Sequence, residues 1–172
     1  MSDAADPKPD PQAEPPEIKS RSDFAAAIHW AVHAAVQRGA RQMLWVDADF
    51  ADWPLGDPVL HQQLASWLQL PRRRLVLLAE RYDSMPVKHA RFVAWRRDWG
   101  HAIDARLQPE DETGGLPTLL LDDGPVVVQL LDRVHWRGRC GLDARQARAW
   151  REQIDALLQR SPPGFAVTQL GL

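Results

Sequence analysis

The chain has 172 residues and a formal net charge of −2, with 21 lysine and arginine residues against 23 aspartate and glutamate residues. This length is typical of one domain with a tail, and the balanced charge lacks the global basic character of many nucleic-acid-binding proteins. The sequence has no run of about 18 apolar residues and no signal-peptide pattern, so we expect no membrane span. One cysteine, Cys140, cannot form an internal disulfide, which favours a cytoplasmic protein.

The first nineteen residues predict a disordered tail. They contain five of the 14 prolines, and five acidic residues against two lysines. Such a segment has too little apolar surface to offset the entropy lost on ordering. The sequence therefore predicts a disordered, Pro-rich acidic tail over 1–19 and a single domain over 20–172.

Helical and strand patterns alternate through the first two thirds of the domain. Ser22 is a good N-cap, and Asp57-Pro58 combines an N-cap with a first-turn proline. In chain order we predict a helix over 23–38, a strand over 43–46, a helix from 57, a strand over 74–79, a helix over 87–99 and a strand over 102–107.

The last third predicts a β-hairpin followed by a helix. Two apolar runs over 117–131 flank a turn at Asp123-Gly124, and Asp143 caps the final helix. Residues 165–172 are predicted as a closing strand. Together the elements predict an α/β fold with a mixed, mostly parallel β-sheet flanked by helices.

The hairpin has the outline of a known catalytic motif without its reactive residues. The order of elements resembles one half of a phospholipase D-like domain, whose late strand pair carries H-x-K-x-x-x-x-D followed by Gly. Aligned on Asp123-Gly124, the histidine position is Leu116 and the lysine position is Thr118. Leucine cannot attack phosphorus or move a proton, and threonine carries no charge, so we expect no catalytic residue here. An ordinary hairpin with Asp-Gly at its turn explains the same residues.

The region 20–172 also resembles an uncharacterised bacterial family of phospholipase D-like domains. The marks of that resemblance are the segments 81–83, 89–92, 96–99 and 169–172. Phospholipase D-like sites are built where two halves face each other, and this chain has the size of one half. The resemblance therefore implies a homodimer with a binding or regulatory role.

Charged residues follow the first two predicted strands. Because ligands bind beyond the carboxyl ends of strands in open α/β sheets, these residues are predicted to converge on one cleft. The candidate ligand-binding residues are Asp47, Asp49, Arg81, Tyr82, Lys88, His89 and Arg91. The ligand would be an anion, a phosphate or nucleic acid. The alternative is an internal salt-bridge network that fixes the loops.

The remaining sequence patterns do not indicate a cofactor. His29 and His33 have zinc-compatible spacing on a helix, but the sequence offers no third ligand, so we predict no metal. Three tryptophans outside the predicted core, Trp30, Trp53 and Trp136, indicate a self-association surface. The leading hypothesis is a non-catalytic domain. The alternatives are an enzyme acting on a phosphodiester through His89 with Asp47 or Asp49, and a module that binds an unidentified protein.

Overall fold

The computed structural model describes residues 14–166, which form five helices and six strands around one sheet. The helices are α1 (Arg21–Gln37), α2 (Pro58–Leu68), α3 (Met85–Lys88), α4 (Ala90–Arg96) and α5 (Ala144–Leu158), with a 3₁₀ turn at Arg97–Trp99. The strands are β1 (Gln42–Asp47), β2 (Arg74–Ala79), β3 (Ile103–Leu107), β4 (Thr118–Asp122), β5 (Val126–Asp132) and β6 (Arg137–Leu142). In this range no helix is long and apolar enough to cross a membrane.

The sheet is mixed, with strand order β3-β2-β1-β4-β5-β6. β1 pairs parallel to β2, and β2 pairs parallel to β3. The remaining pairings, β1 with β4, β4 with β5 and β5 with β6, are antiparallel. The predicted mixed α/β fold is confirmed. The sequence does not predict β6, and its pairing leaves the described sheet with more antiparallel than parallel neighbours.

Side-chain caps set the ends of the long helices. Asp57 accepts a hydrogen bond from Val59 N, and Asp143 accepts one from Gln146 N, as their sequences predict. The first helix differs from the prediction, because the N-cap is Ser20, whose hydroxyl accepts from Asp23 N. α1 consequently begins at 21 rather than 23.

The helix predicted over 87–99 is wrong as one continuous element. It is divided at His89, whose backbone angles of φ −132° and ψ 48° leave the helical region. The imidazole Nε2 lies 2.8 Å from the carbonyl oxygen of Phe50. This tertiary contact outweighs the helical pattern and separates α3 from α4.

The two faces of the sheet carry different cores. One face packs an aromatic-rich cluster with α1 and α2, and the other packs aliphatic strand residues under α5. Trp53 is buried in the first cluster, and Trp136 packs against Phe24 with ring centroids 5.9 Å apart. Trp30 is half-buried against the same cluster. Trp53 is therefore a core residue, whereas Trp30 and Trp136 pack against the core and keep part of their surface exposed; the self-association surface stays a prediction.

Both ends of the described chain lie against sheet edges. Ile18 is buried, and its Cδ1 would lie 3.1 Å from a Cβ added to Gly138 of β6, so this part of the predicted disordered tail is packed. At the other end, Pro163 forms a single bridge with Arg106 of β3. The predicted closing strand over 165–172 falls mostly outside the described residues, and Phe165 has a left-handed φ of 52°.

Candidate functional site

Thr118, the residue aligned with the lysine of the phospholipase D-like motif, belongs to an internal polar cluster. Asp47, at the end of β1, is buried with 1% exposure and accepts hydrogen bonds from Thr118 Oγ1 and Arg133 Nη2. Its other carboxylate oxygen accepts from Phe50 N at 2.8 Å. Arg133 also donates to Thr118 Oγ1 at 2.8 Å. The groups that could meet a phosphate at this position are thus paired with one another.

The remaining motif positions carry no reactive group into this cluster. Leu116 is half-buried, and its backbone N–H donates to Glu80 Oε2 at 3.3 Å. Asp123 lies beyond the opposite end of β4 from Thr118, where its carboxylate accepts from Arg41 N at 3.2 Å. The hairpin therefore holds the loops in place.

A second ion pair fixes the loop after β2. Arg81 Nη2 lies 3.5 Å from Asp49 Oδ2, and Asp49 Oδ1 accepts from Ala51 N at 3.0 Å. Ser84 Oγ lies 3.4 Å from the carbonyl oxygen of Asp49. These contacts match the salt-bridge alternative for Asp49 better than a ligand site.

The predicted ligand-binding residues around the start of α4 do not converge on one point. His89 is buried with its Nε2 on the carbonyl oxygen of Phe50, whereas Lys88 and Arg91 are exposed. Relocated acid–base chemistry would need this imidazole to bond to a carboxylate such as Asp47 or Asp49. The contact seen for Nε2 instead joins two loops.

A cavity of about 760 Å³ opens at the carboxyl ends of β2 and β3. Its lining residues come from the 80–86 loop, α4 and its following turn, the end of β3 and the C-terminal segment. They are Glu80, Arg81, Tyr82, Asp83, Pro86, Val93, Arg96, Arg97, Leu107, Phe165 and Ala166. Two predicted residues, Arg81 and Tyr82, line this cavity; Asp47, Asp49, Lys88, His89 and Arg91 are not among its lining residues.

Tyr82 presents its ring to the cavity while its hydroxyl is engaged in the interior. The hydroxyl donates to the carbonyl oxygen of Arg106 at 2.8 Å, and the carbonyl oxygen of Leu77 lies 3.2 Å away. Burial raises the pKa of Tyr82 well above its ordinary value. Its ring stacks on Phe165, with centroids 5.0 Å apart and planes 5° from parallel.

Arg96 is the charged group at the centre of this site. Its guanidinium carbon lies 3.9 Å from the ring centroid of Phe165, and Nη2 donates to the carbonyl oxygen of the same residue. The residue is 2% exposed, and Nε has no hydrogen-bond partner among residues 14–166. Within that range no carboxylate forms an ion pair with Arg96. Burial lowers the pKa of Arg96.

The ligand prediction does not include Arg96, although one signal in the sequence indicates its burial. Phe92 and Arg96 are four residues apart on a helix and therefore share a face. Phe92 is fully buried, so that face points inward. A charged residue on the buried face of a helix is rare unless it is paired.

Neither histidine of the zinc-compatible pair is part of a metal-like cluster in the described chain. His29 Nε2 lies 3.1 Å from Asp57 Oδ2, and His33 Nδ1 lies 3.3 Å from Gln63 Nε2. Among residues 14–166 no three His, Cys, Asp or Glu side chains are grouped as metal ligands would be.

Comparisons with known proteins give little similarity. No protein-family model and no curated protein matches the sequence. One solved structure with a similar arrangement is that of TrmBL2, an archaeal chromatin protein with a novel mode of DNA binding. The alignment has a TM-score of 0.49 and 11% sequence identity, and covers 78% of this chain and 51% of that chain. The chain thus spans about half the length of TrmBL2.

Proposed function

We propose that this chain is a non-catalytic, phospholipase D-like domain that binds an anionic ligand in the cavity between Tyr82 and Arg96. The observation that carries the proposal is the burial of the Arg96 guanidinium without a carboxylate partner in residues 14–166. Removing a cation from water costs several kcal/mol unless an anion and hydrogen-bond acceptors compensate for it. An anionic ligand supplies both.

The position of the cavity supports a ligand site. It lies beyond the carboxyl ends of two neighbouring parallel strands, β2 and β3, where open α/β sheets bind their ligands. Arg81 and Arg97 add two more cations to its lining. Anions approaching this edge of the sheet therefore meet a local excess of arginine.

The absence of catalysis is supported by the residues at the motif positions. Leu116 has no nucleophile or proton to offer, and the hydroxyl of Thr118 is hydrogen-bonded to Asp47 and Arg133. A phosphodiester at this position would have to displace Arg133 from the buried carboxylate of Asp47. We expect no phosphodiesterase activity from the purified chain.

The resemblance to phospholipase D-like halves also leads us to propose a homodimer. Light scattering coupled to size exclusion checks this, because a dimer has twice the chain mass of 19.5 kDa. A monomeric mass at concentrations of about 100 μM would contradict the dimer, since a biologically useful association has a Kd at or below the micromolar range. Neither result bears on the cavity, which lies within one chain.

The anion-binding proposal is tested by thermal unfolding of the full chain in increasing acetate or inorganic phosphate. A ligand that binds only the folded state raises the unfolding midpoint progressively once its concentration exceeds its Kd. We expect the rise for the native chain and for Arg91→Met, an exposed position on the same helix outside the cavity. Arg96→Met should fold and show no rise. An equal rise in all three proteins contradicts the proposal.

A further inference from the structure

We propose that the ligand of this cavity is a monocarboxylate with an apolar or aromatic body, and this inference rests on the proposed function. Three properties of the cavity favour it over a phosphate: the charge balance of its lining, the chemistry of its walls and its volume. Each property is argued from the described residues.

The charge balance favours a single negative charge. The lining contains three arginines and two acids, a surplus of one positive charge. Arg81 is also paired with Asp49, and with this neighbour counted the charges balance, so each further negative charge on a ligand is harder to compensate. A carboxylate carries one negative charge, whereas a phosphate monoester carries close to two at neutral pH. The second charge would lie beside Glu80 and Asp83 without a partner.

The walls favour a ligand with an apolar body. Pro86, Val93 and Leu107 contribute aliphatic surface, and Tyr82 and Phe165 contribute aromatic rings. The Tyr82 hydroxyl already donates to a backbone carbonyl, so this residue offers the cavity its ring. Covering these walls with apolar ligand surface is favourable, because it removes apolar surface of both partners from water.

The volume also exceeds what a simple anion needs. Ligand pockets in proteins enclose roughly 300–1,000 Å³, and this cavity of about 760 Å³ lies within that range. A free phosphate would leave most of the apolar wall in contact with water. A carboxylate attached to a ring or acyl chain covers the wall while its charge meets the arginine.

The contact between Arg96 and Phe165 already shows both parts of this recognition. Arg96 donates a hydrogen bond to the carbonyl oxygen of Phe165, and its guanidinium lies over the aromatic ring of the same residue. Arginine suits such a site, because its planar fork pairs with carboxylates while its face stacks on aromatic groups. Its Nε is buried and has no hydrogen-bond partner among residues 14–166, so a carboxylate that displaces the ring of Phe165 would gain this donor.

The test uses three ligands that share a phenyl ring. Phenylacetate carries a carboxylate, phenylacetamide is its neutral counterpart, and phenyl phosphate carries the phosphoryl group. Isothermal titration of the full chain should give phenylacetate the highest affinity. Because the ionic contact contributes about 1.4 kcal/mol or more, phenylacetamide should bind at least about tenfold more weakly.

Two variants distinguish the ligand classes. Asp83→Asn removes one negative charge from the exposed rim, so it should increase the affinity for phenyl phosphate more than that for phenylacetate. Val93→Thr keeps the shape of the wall but adds a hydroxyl, so it should weaken phenylacetate binding. Thermal unfolding of both variants checks that each one is folded before the affinities are compared.

The outcomes separate this inference from the proposed function. Tighter binding of phenyl phosphate than phenylacetate, lost in Arg96→Met, overturns the carboxylate inference and leaves the anion site standing. Equal affinities for phenylacetate and phenylacetamide, or no binding that depends on Arg96, overturn both. Preference for phenylacetate that disappears in Arg96→Met supports both.

Discussion

Arg133, on the turn between β5 and β6, donates a hydrogen bond from its guanidinium to the buried carboxylate of Asp47 at the end of β1. The two residues are 86 positions apart in the chain, so this pair ties the antiparallel half of the sheet to the parallel half. Thr118 completes the cluster from β4.

Asp47→Ala should lower the free energy of unfolding by about 2–4 kcal/mol, because Arg133, Thr118 and Phe50 N lose their acceptor. Asp49→Ala is the matched control two residues away, where the partner Arg81 is half-exposed and 3.5 Å distant. The control should cost about 1 kcal/mol or less. Urea unfolding measures both, and equal losses would contradict the structural role of Asp47.

Tyr82 should make stability fall in alkaline solution. Burial raises its folded-state pKa above the unfolded value of about 10, so the folded chain holds the phenol proton more strongly. This stabilising contribution is complete below the unfolded pKa and is lost as the pH rises from there through the folded pKa. Tyr82 is the only tyrosine, so the near-ultraviolet phenolate band reports it alone.

Alkaline titration should therefore show phenolate absorbance appearing together with loss of the folded circular dichroism. Tyr82→Phe should reduce the dependence of unfolding free energy on alkaline pH while costing about 1 kcal/mol at neutral pH for the lost hydrogen bond. Phenolate formation in the folded chain near the ordinary tyrosine pKa would show that the hydroxyl is accessible.

Asp122 should make the free energy of unfolding depend on pH in acidic solution. Burial raises its pKa, against the opposing effect of hydrogen bonds that its Oδ1 accepts from Gly124 N and Val126 N. The folded chain thus holds this proton more strongly, and the contribution to stability falls as the pH rises through the folded pKa. Asp122→Asn keeps an acceptor for the turn and should remove this fall, as measured by urea unfolding across the acidic range.

Gly164→Ala should disturb the C-terminal wall of the cavity. A Cβ at this position would lie 2.5 Å from Leu107 Cγ and 2.9 Å from its Cδ1, so the Leu107 side chain or the local backbone must shift. We expect a loss of about 1–3 kcal/mol in unfolding free energy, typical of overpacking. Gly56→Ala is the control, because nothing lies within 4 Å of its Cβ, and it should change stability little. Similar losses for the two variants would contradict the close packing of Gly164.

The sequence predicts elements whose signals are local. The N-caps of α2 and α5 and the Asp-Gly turn each involve residues within a few positions, and all three are confirmed. β6 lacks the apolar alternation of a strand and forms because it pairs with β5. Gly138 within it is required, since a Cβ there would lie 2.5 Å from the carbonyl oxygen of Gln129.

The cavity depends on contacts that the sequence does not bring together. Arg81 and Tyr82 are predictable, because they follow directly after a strand. Phe165 is 69 positions from Arg96 and reaches it because the chain at 162–164 hydrogen-bonds to β3. That pairing includes the bond from Leu107 N to the carbonyl oxygen of Pro162 at 2.9 Å. Such a contact between distant segments has no local signature.

The most direct measurement is the affinity of phenylacetate for the native chain and for Arg96→Met, determined by isothermal titration with Arg91→Met as the control. The proposed site predicts saturable binding to the native chain and to Arg91→Met, and a loss of at least about tenfold in Arg96→Met. Equal affinities in all three proteins would contradict an anion site at Arg96.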